Sequence, residues 1–292
     1  MSSAVVVGER SAGILWRDVV TLLKLRIGAL ITATAVAAAV AAGARDARTL
    51  FVLAAASLLS SCGASSLNHW LDRDIDVRME RTCDRPLPAG RLAPTVALGL
   101  GVGLTLLPLS AEGILGPGAT LYLLAGAATY AVVYTAWLKR RTPYSIVWGG
   151  AAGSFAALAG WETAASTLHP APLVLAGVLF LWTPSHFWSF AIARERDYRA
   201  AAVPTLVAVA GRERAAWAVS ASAVGLVTWS LVLGAFLPWP YLLFAAPSGC
   251  GFLLLAARLA RDPSPARAWS LFKLSGLHLL LVLAGLVAAG LA

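Results

Sequence analysis

Long apolar runs, separated by short and mostly basic polar stretches, occupy nearly the whole chain. Nine runs approach the roughly 20 residues a helix needs to cross about 30 Å of hydrocarbon. They extend from Leu25 to Ala44, Leu50 to Trp70, Thr95 to Ala111, Gly118 to Leu138, Ser145 to Trp161, Ala171 to Ala193, Ala216 to Leu237, Tyr241 to Leu259 and Leu271 to Ala292. The pattern predicts an all-α polytopic membrane protein, a bundle of nine transmembrane helices. The fifth run is the weakest, being short and carrying six small residues in Gly149–Ser154.

The basic residues give the bundle a direction. Lys and Arg collect in cytoplasmic loops, and 21 of the 23 here fall before the first run or in alternate connections. Only Arg45 and Arg48 fall on the other side. Nine crossings with a cytoplasmic N-terminus and an outside C-terminus satisfy that alternation. We expect one domain over residues 1–292, with 1–24 as a cytoplasmic segment. Glu9 and Asp18 interrupt that segment, whereas organellar transit peptides are acid-poor. The expected location is therefore a bacterial-type inner membrane.

Composition narrows the picture further. The chain of 292 residues is 59% hydrophobic and 13% charged, with mean hydropathy +0.76. Soluble domains are about a quarter charged. The net charge of +9 is spread over loops rather than gathered on one face, so a nucleic-acid partner is not expected. Cys62, Cys83 and Cys250 form no CxxC or Cys/His spacing, which disfavours structural zinc and covalent haem attachment. Gly99, Gly101 and Gly103 lie inside an apolar helix, without the strand a nucleotide fingerprint requires, and are expected to pack helices closely.

The chemistry-bearing stretch is Asn68-His-Trp-Leu-Asp72-Arg-Asp74-Ile-Asp76. Residues four apart on a helix drift by only about 40°, so Asn68, Asp72 and Asp76 share a face, while Asp74 lies about 200° from Asp72. Like charges at this spacing repel. A hard cation relieves the repulsion, and Mg²⁺ typically takes one or two carboxylates together with substrate phosphate oxygens. The next segment, Arg81-Thr-Cys-Asp-Arg85-Pro-Leu-Pro-Ala-Gly90-Arg91, cannot stay helical because of its prolines. It can fold guanidiniums, which grip phosphate through a bidentate fork, over an anion. Lys139, Arg140 and Arg141 end the fourth run, and Arg194-Glu-Arg-Asp197-Tyr198 follows the sixth, offering a carboxylate for a second metal. Lys24 and Arg26 begin the first run. Together these make a diphosphate cradle at the cytoplasmic face, with an apolar bundle below for a hydrocarbon tail. Ionising such a substrate leaves an allylic cation, which aromatic faces stabilise.

The segment NHWLDRDIDVRMERTCDRPLPAGR resembles the first signature of the UbiA-type intramembrane prenyltransferases, and specifically of their haem-farnesylating branch. YTAWLKRRTPYSIVWGGAAG and LWTPSHFWSFAIARERDYRAAAVP are similar to the same branch. The resemblance implies Mg²⁺-dependent farnesyl transfer from farnesyl diphosphate to a vinyl group of haem B, with water added, giving haem O and diphosphate. Carried across by position, it implies Asn68, Asp72 and Asp76 as catalytic and metal residues and Asp197 as the second metal residue. Arg26, Lys139 and Arg140 are implied as phosphate partners beside Arg81 and Arg85. The superfamily often has a second acid four residues after its second-motif acid; Ala201 stands there. Ala156-Ala157 and Ala201-Ala202 also depart from the branch, and bear on the acceptor more than on the reaction.

His186, Trp188 and Tyr134 are candidate acceptor contacts, and Trp137 also has a place at the pocket. His69 points about 100° from Asn68, and His169 and His278 receive no role in the reaction. Two other readings stay open: a related enzyme using an aromatic acid acceptor, and a transporter lined by intramembrane charges. Membrane lipid is the surrounding partner, and the sequence names no protein that hands over haem.

Overall fold

The computed structural model describes residues 12–165 and 167–292, with side chains from 16 onward. Arg10 and the start of the cytoplasmic segment lie outside the described residues. All regular secondary structure among the described residues is helical, with no strand. The helices are α1 (Ala12–Leu23), α2 (Leu25–Ala41), α3 (Ala47–Asp76), α4 (Pro94–Leu106), α5 (Glu112–Leu115), α6 (Pro117–Ala128), α7 (Ser145–Gly149), α8 (Ala151–Glu162), α9 (Pro170–Ala193), α10 (Glu195–Ala200), α11 (Leu206–Leu233), α12 (Pro240–Arg261) and α13 (Pro265–Leu291). A π-helical stretch, Thr129–Leu138, prolongs α6.

Among the described residues, seven helical segments are long and apolar enough to cross a membrane, and an eighth if the bent pair α1–α2 counts as one span. That pair turns by 44° at Lys24. The fifth expected run is split: five residues in α7, then a turn at Gly150, then 12 residues in α8. The small residues that weakened the sequence signal lie around this break, and Gly150 sits against the backbone of Phe180.

Packing is a closed circuit. Helix α2 contacts α3, α8 and α13; α8 contacts α6 and α9; α9 contacts α11 and α13; and α12 lies between α11 and α13. One large apolar cluster joins α2, α8, α9, α11, α12 and α13. Exposed apolar side chains such as Phe51, Leu121 and Leu243 cover the outside, as expected where lipid replaces water. Two glycines permit close crossings. A Cβ on Gly160 would overlap the Ala35 carbonyl of α2, and one on Gly101 would meet Leu67 of α3. Gly99 and Gly103, by contrast, face open space, so only the middle glycine of that trio serves helix packing.

The loop after α3 is tied down at both ends. Leu87 and Leu92 pack with Leu22 of α1 and Ala97 of α4. Arg91 donates to Asp18 at 3.0 Å and to the Asp84 carbonyl at 2.7 Å. Gly90 takes φ 65°, a conformation that favours glycine. The loop is thereby held over the end of α3.

Candidate active site

Helix α3 continues past Trp70 to Asp76, so the four-residue spacing places its polar residues on one buried stripe. Asn68, Asp72 and Asp76 are 3%, 1% and 2% exposed. Asp74 faces outward, where Arg140 binds its two oxygens at 2.6 and 2.7 Å. Arg140 also donates to the Leu71 carbonyl, and the Asp74 hydrogen bond raises its pKa further.

Lys139, next in the chain, points the other way. Its Nζ donates to Asp72 Oδ2 at 2.5 Å. The π-helical turn sets this direction: the Lys139 N–H bonds the Tyr134 carbonyl at 2.8 Å, and the Thr135 hydroxyl bonds the Tyr130 carbonyl at 2.8 Å, each five residues back. Such turns recur at functional sites. Thr135 Oγ1 also accepts from Asn68 Nδ2 at 3.1 Å, and that amide donates to Asp72 Oδ2 at 2.8 Å.

A second cation comes from the break in the first span. Lys24 has φ 47° and ψ 52°, a left-handed conformation costing on the order of 1 kcal/mol for a residue with a Cβ. Its Nζ donates to Asn68 Oδ1 at 2.6 Å. The folded-back loop supplies two more. Arg85 donates to Asp76 Oδ2 at 2.7 Å, and Arg81 Nε lies 3.9 Å from Asp197 Oδ2. Lys24, Lys139, Arg85 and Arg81 thus meet Asn68, Asp72, Asp76 and Asp197 respectively, and the contact between Arg81 and Asp197 joins the two halves of the bundle. Beside them, burial pushes the Tyr198 phenol up to about 12, although the Arg81 and Arg85 charges pull it down.

Asp72 Oδ1 is buried without a hydrogen-bond partner, and so are both ring nitrogens of His69. A buried unpartnered carboxylate oxygen is costly and calls for an ion or a donor. Among the described residues, no group of three His, Cys, Asp or Glu could hold a metal by itself. That suits a hard cation that draws most of its oxygens from phosphate and water.

Under the cluster lies a cavity of about 90 Å³, walled by residues of α2, α3, α6 and α8 and by Tyr130. Ser65, Ser61 and Ser57 of α3 descend along it from below Asn68, with Ile27, Ile31 and Leu123 opposite. Tyr130 stacks on Tyr134 with ring centroids 5.8 Å apart.

The remaining sequence candidates are distributed around this centre. Tyr134 and Trp188 are buried, while Trp137 is exposed and faces away from the pocket. Arg26 is exposed, with no side-chain hydrogen bond or ion pair among the described residues. His186 lies between α9 and α13, bonded to Ser275. His169 caps α9 by accepting from the Ala171 N–H, and His278 bonds Ser248 deep in the bundle. Sequence reasoning did not place Thr135 or Tyr130 at the site and named Lys24 only as a cation within reach. Their signals, a Tyr-x₃-Tyr-Thr pattern and a lone lysine opening a span, do not reveal a π turn or a left-handed break.

The profile of the UbiA prenyltransferase family matches residues 29–285. The chain belongs to the UbiA prenyltransferase family. Among relatives of this UbiA chain, a protoheme IX farnesyltransferase of Rhizorhabdus wittichii is 40% identical over 94% of this chain and 93% of its own length. Protoheme IX farnesyltransferase 1 of Cenarchaeum symbiosum is 36% identical, over 92% and 94%. A protoheme IX farnesyltransferase of Roseiflexus castenholzii is 42% identical over 78% of this chain, which spans 43% of that longer protein. The UbiA fold is shared with solved structures. A digeranylgeranylglyceryl phosphate synthase superposes with TM-score 0.77 at 15% identity, over 94% of this chain and 98% of the other. A UbiA homolog from Archaeoglobus fulgidus bound to DMAPP and Mg²⁺ superposes with TM-score 0.70 at 15% identity, over 93% and 99%.

Proposed function

We propose that this prenyltransferase moves a farnesyl group from farnesyl diphosphate to a vinyl group of haem B, with addition of water, giving haem O and diphosphate. One observation supports the donor half: lysines and arginines from three segments converge on the buried Asn68, Asp72, Asp76 and Asp197, directly above an apolar cavity. The acceptor follows from the relatives at 36% to 42% identity, which carry the name protoheme IX farnesyltransferase. Nine crossings with a cytoplasmic N-terminus and cradle remain our reading of the topology, supported by the distribution of basic residues.

In this mechanism Lys139, Arg85 and Arg81 exchange their carboxylate partners, and Lys24 its Asn68 amide oxygen, for phosphate oxygens. Asn68, Asp72, Asp76 and Asp197 would hold Mg²⁺, which would neutralise charge on the departing diphosphate when bound. Asp72 Oδ1, which has no hydrogen-bond partner, would be available to it. The tail descends past Ser65 toward Ser57. When the C–O bond breaks, its electron pair leaves with the diphosphate, and the allylic cation lies beside the Tyr130 ring. The vinyl π electrons form the new C–C bond. Water then bonds to the cationic carbon next to the porphyrin and releases a proton to solvent. This sequence requires no deprotonation of the acceptor, so a Ser–His–Asp arrangement is unnecessary.

Membranes containing the chain, supplied with farnesyl diphosphate and either haem B or a hydroxybenzoate, provide the test by product mass. The expected product is haem increased by one farnesyl and one hydroxyl group. A farnesylated phenol with haem unchanged would overturn the acceptor, and substrate movement without diphosphate release would favour a transporter.

A further inference from the structure

The cradle leaves His186 of α9 unused, although its surroundings are specific. Its ring stacks on Trp182 with centroids 4.2 Å apart and lies 4.5 Å from the ring of Phe272 on α13. Its Nδ1 is 2.7 Å from Ser275 Oγ, and the Ser275 hydroxyl donates to the Phe272 carbonyl at 2.6 Å. A hydroxyl has one hydrogen, so toward His186 it accepts, and Nδ1 carries the ring proton. Nε2 therefore presents a free lone pair. The nitrogens of His69 and Nε2 of His278 are sealed in without partners, but Nε2 of the half-buried His186 is not among the sealed atoms. An imidazole with one N–H anchored to an oxygen and the other nitrogen open is the form that ligates metal.

An aromatic wall continues from this ring to the cradle. Phe272 stacks on Trp269 at 5.0 Å and meets Phe190 at 5.0 Å. The Arg194 guanidinium lies 5.4 Å above Trp269, and that of Arg81 lies 5.4 Å above Phe190. Arg81 is also the arginine beside Asp197. The wall thus has a lone pair at one end, flat apolar faces along it, and a guanidinium at its cytoplasmic end.

We propose that this wall between α9 and α13 seats the tetrapyrrole acceptor, with His186 Nε2 as axial ligand to its iron and Arg194 binding a propionate. The proposal rests on the haem acceptor proposed above. A histidine is a common axial ligand of haem iron, and arginine grips carboxylate through two parallel bonds. Phe190 stands four residues after His186, about 6 Å along the helix axis. A macrocycle held at His186 therefore extends toward Arg81 and the diphosphate end of the donor. Axial ligation fixes which edge of the ring, and so which vinyl group, meets the farnesyl cation. A hydroxybenzoate would use neither the lone pair nor the extended wall.

The test is titration of the purified full chain with haem B alone, read by the Soret band and electron paramagnetic resonance, beside product mass with farnesyl diphosphate. Wild type should show an imidazole-ligated haem. His186→Ala should lose that signature and bind haem about tenfold or more weakly, while free imidazole restores the spectrum. Ser275→Ala should keep haem bound but alter the signature, because the ring is no longer anchored. Unchanged binding of inorganic pyrophosphate with Mg²⁺ shows that His186→Ala is folded; a misfolded variant leaves the decision to Ser275→Ala. A wild-type spectrum retained in His186→Ala, or one lost instead in His169→Ala, would overturn the seat. Farnesylation of haem without any imidazole signature would overturn the seat and keep the activity. The signature without farnesylated haem would keep the seat and overturn the activity.

Discussion

Lys139 Nζ and Asp72 Oδ2, 67 positions apart in the chain, meet at 2.5 Å inside the bundle, and the other oxygen of Asp72 has no partner. The pair keeps two charges in a buried place that neither could occupy alone. In the proposed mechanism it also keeps a cation for phosphate beside a carboxylate for the metal, so that an arriving diphosphate with its metal would exchange partners rather than strip bare charges.

Removing one member should therefore cost more than removing both. Lys139→Met leaves Asp72 uncompensated and should destabilise the protein by about 3–5 kcal/mol, seen as a lower melting temperature in detergent. Adding Asp72→Asn should recover most of that loss without restoring transfer. Equal, additive losses in the two single variants and the double variant would show that the pair is uncoupled.

Asp72→Ala separates chemistry from assembly. Loss of the carboxylate should cut prenyl transfer by about 10²–10³-fold or more, the scale for a group stabilising transition-state charge, with normal membrane insertion. Chelating divalent cations should have the same effect on wild type and be reversed by Mg²⁺. Diphosphate release from Asp72→Ala at the wild-type rate would remove this residue from the reaction.

Much of the site was readable where chemistry repeats with helical period. Asn68, Asp72 and Asp76 needed only that α3 continue as a helix, and Asp74 departed from them as a 200° offset requires. Arg81 and Arg85 followed from prolines that forbid a helix. Neighbouring Lys139 and Arg140 were indistinguishable, because the five-residue hydrogen bonds that aim one inward and the other outward arise from packing. Lys24 was hidden for a similar reason: a lysine carries no mark of a left-handed break. The expected fifth span lost its continuity at Gly150, where small side chains allow close packing and contribute little to hydropathy.

Glu195 gives a pH test outside the spans. Burial alone would raise its pKa, but hydrogen bonds from Arg212 and Arg199 outweigh that and hold the carboxyl below its ordinary value of 4.5. A lowered folded-state pKa stabilises above the unfolded value, and the contribution disappears as pH falls through the folded one. Glu195→Gln should cost at most about 1 kcal/mol at neutral pH, because both arginines are half-exposed. The difference from wild type in melting temperature should persist at pH 4.5 and above and shrink as the pH falls below that value.

Gly160 tests the crossing that holds the two halves together. A Cβ there would overlap the Ala35 carbonyl, and backbone cannot yield as a side chain does. Gly160→Ala should destabilise by about 1–3 kcal/mol, as overpacking does. Gly103→Ala, in open space, should be neutral. Comparison of the two variants' melting temperatures in one detergent checks both.

The cavity predicts where chain length is measured. Ser57 lies 11 residues before Asn68 on α3, about 16 Å along the helix axis, and both Ser57 and Ser65 line the cavity. Ser57 Oγ has no hydrogen-bond partner, so replacing it breaks no bond. Ser57→Phe fills the deep end and leaves the cradle untouched. Farnesyl transfer should fall by about tenfold or more, since each displaced methylene loses about 0.8 kcal/mol of burial, while transfer from geranyl diphosphate should persist. Ala64→Phe, one turn from Asn68, should block both donors. Competition between the two diphosphates, scored by product mass, distinguishes a shortened pocket from a damaged one. Equal losses with both donors in Ser57→Phe would place the tail elsewhere.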